Sequence, residues 1–134
     1  MNPKKILAAT ASLLALTACA TGSGAGSHST RVTPRERPVR VNVTNHYAMP
    51  AEIYAVGCGT QHRLGLAYPG LVSHYVLPQA LLACGGMVEF VAQPTGTNDH
   101  PVSAGEELLQ PGDVVTFEIT MHLVASYTAV RPGD

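Results

Sequence analysis

No run of about 20 apolar residues occurs in this 134-residue chain, so no segment suits a helix that crosses a bilayer. Internal repeats are absent, which removes repeat architectures. Eight basic residues stand against nine acids, for a net charge of −1, so the chain lacks the basic surplus of a nucleic-acid binder. No amphipathic helix of useful length can be traced. The spacings that announce catalysis are missing too: there is no Gly-x-Ser-x-Gly, no His-Glu-x-x-His and no Cys-x-x-Cys. Ser73 and His74 are adjacent and would face opposite sides of a strand. Glu106 and Glu107 diverge in the same way, so they cannot act as a paired acid and base. Gly22-Ser23-Gly24-Ala25-Gly26 lacks the Lys-Ser/Thr end of a phosphate loop and precedes no helix. No site constellation assembles, and the expectation is that the protein is not an enzyme and carries no cofactor.

What is present begins at the N-terminus. Lys4 and Lys5 lead into an apolar stretch from Ile6 to Leu16, broken by Thr10 and Ser12. This is the layout of an export signal. The stretch ends in Leu16-Thr17-Ala18-Cys19, which resembles the lipobox of bacterial lipoproteins. The resemblance covers roughly the first 20 residues. It implies cleavage after Ala18 and lipidation of Cys19, with acyl chains anchoring the mature chain to a membrane. Ala20, a non-Asp residue after the cysteine, implies the outer membrane in the Gram-negative pattern. Removing residues 1–18 leaves 116 residues, with six arginines against nine acids.

Residues 20–38 read as a linker. Thr21 to Thr30 is Gly, Ser, Ala and Thr apart from His28, and Pro34 and Pro38 bracket Arg35, Glu36 and Arg37. Such a composition buries little. The arginines from Arg31 to Arg40 read as solvated; contact with acidic lipid headgroups or peptidoglycan is the alternative. Cys58 and Cys84 remain once Cys19 is lipidated, and an even pair in an oxidising compartment reads as a disulfide. Two free thiols or a soft-metal pair are the other readings. A bond would close a loop of about 26 residues and contribute roughly 3–4 kcal/mol in the chain-entropy treatment.

From Val39 the chain alternates like half-buried strands. Val39, Val41 and Val43 share one face; so do Val88, Phe90 and Ala92, and Val115, Phe117 and Ile119. Strands are expected at 39–44, 51–56, 61–67, 72–77, 87–92, 102–110, 114–121 and 123–130. Gly57-Cys58-Gly59-Thr60, Pro69-Gly70 and Pro111-Gly112-Asp113 supply turns. Residues 79–83 are expected to make one helical turn, and 94–101 a polar loop. Seven or eight short strands with regular turns predict an all-β fold over 39–131, an antiparallel, Ig-like β-sandwich. A small closed barrel is the runner-up.

Val39 to Asn45, Ile53 to Val56, Arg63-Leu64-Gly65, Pro111 to Val115 and Ala125 to Val130 together resemble a group of small uncharacterised bacterial lipoproteins. These combine a lipobox, a linker and a β-sandwich of about 90 residues. The resemblance implies a fold and an envelope location but no activity. The expected function is a non-enzymatic binding or structural module, touching membrane lipid through Cys19 and an envelope protein or cell-wall partner through its loops. Loops 45–50, 67–71 and 93–101 are the candidates, since sandwich loops carry recognition. Tyr47 and Tyr68 are the candidate anchors within them. Two alternatives stand beside this. His46, His62, His74, His100 and His122 are numerous enough for periplasmic copper or zinc handling, with His62 and His74 the leading ligands and Met49, Met87 and Met121 suited to Cu(I). A disulfide-fixed turn at Cys58 could instead plug an envelope-directed hydrolase.

Overall fold

The computed structural model describes residues 37–134. The signal segment, Cys19 and the linker as far as residue 36 lie outside the described residues. Among the described residues eight strands form: β1 (Arg40–Asn45), β2 (Ala51–Gly57), β3 (Thr60–Ala67), β4 (Val72–Val76), β5 (Met87–Pro94), β6 (Val102–Leu108), β7 (Val114–Ile119) and β8 (Tyr127–Arg131). They make two four-stranded sheets, β4-β1-β7-β8 and β3-β2-β5-β6. The fold is therefore a β-sandwich, and among the described residues no ladder joins the two sheets into a barrel.

The core follows from the alternation. Val41 and Val43 on β1, Ile53 and Ala55 on β2, Val88, Phe90 and Ala92 on β5, and Val115, Phe117 and Ile119 on β7 are all fully buried. The central strands of the two sheets thus meet through their inward faces. Phe90 and Phe117 face each other across the layers, with ring centroids 6.3 Å apart and planes tilted by 48°. That tilted geometry is favourable for aromatic pairs.

Two features depart from the sequence reading. The pairing is not wholly antiparallel, because β1 runs parallel to β7 from Arg40↔Val114 to Asn45↔Ile119. A long intervening chain separates these strands, so no tight hairpin dictates their relative direction. The last strand does not begin at Leu123. Residues Leu123–Ala125 form a 3₁₀ turn and β8 starts at Tyr127. No Gly or Pro marks that turn. Backbone bonds close it, Ala125 N–H to the His122 carbonyl at 2.7 Å and Ser126 N–H to the Leu123 carbonyl at 3.0 Å, and hydroxyls brace it: Thr120 Oγ1 donates to the His122 carbonyl at 2.6 Å, and the Thr120 N–H donates to Ser126 Oγ at 3.2 Å.

The registers sort the connections onto two ends. Connections 45–51, 67–72, 94–102 and 119–127 lie at one, the loop end. Connections 57–60, 76–87 and 108–114 lie at the other, together with the point where the chain enters at residues 37–39. Arg40 N–H donates to the Asp113 carbonyl there at 3.0 Å, and Leu77 N–H to the Val39 carbonyl at 2.9 Å.

Cys58 and Cys84 are disulfide-bonded at this second end, with Cα atoms 5.3 Å apart. The bond joins the β2–β3 turn to the segment just after a 3₁₀ turn at Gln79–Leu82. Cys58 and Gly59 have φ of 51° and 71°, the left-handed pair that a two-residue hairpin turn requires. Gly57 is needed for a different reason. A Cβ there would stand 2.7 Å from the Leu81 carbonyl oxygen, so only glycine lets the 3₁₀ turn pack so close.

Candidate binding site at the loop end

Asn45 organises the loop end. The inward alternation Val39, Val41, Val43 continues to Asn45, which is fully buried. Its Nδ2 donates to the carbonyls of Met49 at 2.9 Å and Ala67 at 3.0 Å, and its Oδ1 accepts from the Tyr47 N–H at 2.9 Å. A buried amide with these partners satisfies carbonyls that would otherwise be stranded. It ties the 45–51 and 67–72 connections together. Their backbones are also bonded, Gly70 N–H to the Asn45 carbonyl at 2.7 Å and Asn45 N–H to the Leu71 carbonyl at 3.3 Å. The Thr95 N–H and hydroxyl both donate to the Pro50 carbonyl, which brings in the 94–102 connection.

Tyr47 crosses from one loop to another. Its ring is half-buried and packs against the core, while its hydroxyl donates to Asp99 Oδ2. The Thr97 hydroxyl donates to the same oxygen, and the Asp99 N–H donates back to Thr97 Oγ1 at 2.7 Å. Hydrogen bonds from Thr97 and then Tyr47 hold the Asp99 carboxyl below the usual aspartate range. The same bond to Asp99, with a smaller contribution from desolvation, pushes the Tyr47 hydroxyl above its ordinary value. Tyr68 is different: it is solvent-exposed on the 67–72 connection.

Next to Tyr47 and Asp99 lies a depression of about 380 Å³, lined also by His100, Met121, His122 and Val124. Met121 is 73% exposed and Val124 90%. Nine large apolar side chains are exposed among the described residues, and six of them sit at or beside this end: Tyr68, Leu71, Val72, Met121, Val124 and Tyr127. The remaining three are Val76, Met87 and Leu108 near the disulfide end. The six fall into two groups, Tyr68, Leu71 and Val72 beside β4 and Met121, Val124 and Tyr127 beside β8, at opposite edges of the first sheet.

The other sequence candidates are dispersed. His62 lies on β3 at the edge of one sheet and His74 on β4 at the edge of the other. His74 Nδ1–H donates to Asn42 Oδ1 at 2.7 Å, and His46 Nε2 pairs with Glu118 at 2.9 Å. Among the described residues no three His, Cys, Asp or Glu side chains converge as metal ligands would. Ser73 is half-buried and His74 exposed, so they face opposite ways. Glu107 accepts from Thr128 Oγ1 at 2.6 Å while Glu106 is exposed on the neighbouring position. Of the loop-end residues, the sequence marks Met121 only as a candidate Cu(I) ligand and Val124 as part of a strand, while Asn45 and Asp99 lie in candidate loops without being singled out. Only Asn45 had a signal, as the next inward position of the β1 alternation.

No helix among the described residues is long and apolar enough to cross a membrane. No family model matches the chain, and no curated protein matches it. A solved structure, the NMR structure of a protein from Eubacterium rectale, is similar over 74% of this chain and 93% of that one, at 8% identity and a TM-score of 0.46. At that level neither residue roles nor an activity carries over.

Proposed function

We propose that this protein is a lipid-anchored component of the bacterial envelope, tethered through Cys19, whose sandwich is a non-enzymatic binding module. Its partner is an envelope protein or cell-wall component engaged by the loop end. The anchor rests on the Lys4-Lys5, apolar run and Leu16-Thr17-Ala18-Cys19 arrangement, and the outer membrane is the favoured address because Ala20 follows the cysteine. The observation that carries the binding reading is the uneven distribution of exposed apolar side chains. Six of nine lie at the end opposite the one where the chain enters the fold. A tethered domain entered from one end offers the other to partners. Met121 supplies flexible apolar contact there, Val124 supplies exposed apolar area beside it, and Tyr68 supplies a ring suited to a wet interface.

A photocrosslinking residue at Val124 or Tyr68, in cells making the full chain, tests this. The expected result is a discrete adduct from both positions and none from Val56, which lies on the outer face of the second sheet. Equal adducts from all three positions, or none from the loop end, would reject the assignment. Mass measurement of the membrane-extracted protein checks the anchor independently, through the acyl mass on Cys19.

A further inference from the structure

The outer face of the first sheet has a second feature, unconnected to the loop end. Close to the point of chain entry, registers set Val76, Arg40, Val114 and Arg131 in one row across β4, β1, β7 and β8. The next row begins with His74 and Asn42. A depression of about 400 Å³ opens here, lined by Arg40, Asn42, His74, Val76, Val114 and Arg131, together with Tyr75. No lining residue is acidic. Among the described residues neither Arg40 nor Arg131 has an ion-pair or hydrogen-bond partner for its guanidinium; the two ion pairs belong to His46–Glu118 and Arg63–Glu52.

The geometry points to a binding site for a phosphate-bearing ligand, held between Arg40 and Arg131. The two arginines flank Val114, so their Cα atoms are separated by two strand spacings, roughly 10 Å. Two long side chains on that base can converge on one phosphate from either side, and the guanidinium fork matches phosphate oxygens. Val114 is on the outer row yet only 4% exposed, as expected if the arginine stems lie along it and leave their charged heads to water. Val76, 61% exposed, gives the site an apolar margin. His74 Nδ1–H is committed to Asn42 Oδ1, which leaves His74 Nε2 and the Asn42 amide nitrogen as further polar groups. Two positive charges without a carboxylate among them favour phosphate, which carries up to two negative charges, over a single carboxylate. The phosphate could belong to a soluble compound or to a lipid headgroup, and the site lies at the end of the fold where the chain enters.

The test is a titration of the isotopically labelled full chain in neutral detergent, read from backbone amide shifts. One arm uses inorganic pyrophosphate, a second uses mixed micelles containing phosphatidylglycerol, and a third uses mixed micelles containing diacylglycerol, which carries no phosphate. The expected result is a saturable shift confined to Asn42, His74, Val76, Val114 and Arg131. Arg40→Gln or Arg131→Gln should weaken it at least about tenfold, the ordinary effect of losing a charged hydrogen bond. Arg63→Gln, on the other sheet and already paired, should leave it unchanged and shows that removing any surface charge is not enough. Saturation by pyrophosphate identifies a soluble phosphate compound as sufficient; saturation by phosphatidylglycerol alone identifies the headgroup. Equal response to diacylglycerol, no confined shift in any arm, or equal loss in Arg63→Gln would overturn the proposal.

Discussion

The two ends of this sandwich are closed by different chemistry. At the disulfide end a covalent bond ties the Cys58–Gly59 turn to the segment after Gln79–Leu82, and Gly57 lets that segment pack directly on the sheet. At the loop end no covalent link exists among the described residues. Four connections are gathered there by one buried amide, Asn45, by backbone bonds, and by the Tyr47–Asp99 bridge. The difference extends to the surface. The covalently closed end exposes few large apolar side chains, while the hydrogen-bonded end exposes most of them. A staple fixes geometry without needing apolar cover. Polar ties fix the backbone of the loops while leaving their apolar side chains free to meet something else.

The largest blow to this contrast is removal of the staple. Cys58→Ala with Cys84→Ala should cost about 3.5 kcal/mol for a loop of 26 residues in the chain-entropy treatment. Denaturant titration measures the loss. Hydrogen exchange localises it: amides of 57–60 and 79–86 should open below the global transition, while loop-end amides stay coupled to it. Loop-end amides that opened first would mean that the two ends are not independently closed. Asn45→Ala is the mirror experiment. It strands the Met49 and Ala67 carbonyls and the Tyr47 N–H in a buried site, which should cost about 2–3 kcal/mol. Exchange should then quicken at 45–50 and 67–71 and not at 79–86.

How far the sequence disclosed this contrast depends on what each end is made of. The disulfide end was readable, because cysteine pairing and glycine turns leave a residue-type signature at Cys58, Gly59 and Cys84. The core was readable for the same reason: Val41, Val43, Phe90, Phe117 and Ile119 sit at period two, and burial follows that period. The parallel β1–β7 pair was not readable, since local alternation is identical for both directions. Nor was the 120–126 connection, where Thr120 and Ser126 hydroxyls replace glycine or proline and the apolar Leu123, Val124 and Ala125 imitate a strand. Tyr47 stood out as an aromatic in a loop, but Asp99 did not. A lone aspartate in a polar loop looks solvated until the fold carries it across 52 positions of sequence to a tyrosine hydroxyl.

That long-range bond gives the smallest and most selective effect. Hydrogen bonds from Thr97 and Tyr47 depress the Asp99 pKa from its ordinary value of 3.8. A depressed carboxyl stabilises the folded loop fully above that ordinary value, and the stabilisation is lost as pH falls through the depressed one. Tyr47 has the opposite sign. Its pKa is raised from 10.0, so its part of the tie is fully present below that value and is lost as pH rises through the raised one. The bridge between loops 45–51 and 94–102 should therefore hold across the neutral range and loosen at both extremes. Amide shifts of 46–49 and 96–100, followed through acid and alkaline titration, would report two separate transitions. Asp99→Asn should remove the acid transition at these amides, bring the Tyr47 hydroxyl back toward its ordinary value, and leave the disulfide end unchanged. An acid transition that persisted in Asp99→Asn would mean that another group, and not this bridge, joins the two loops.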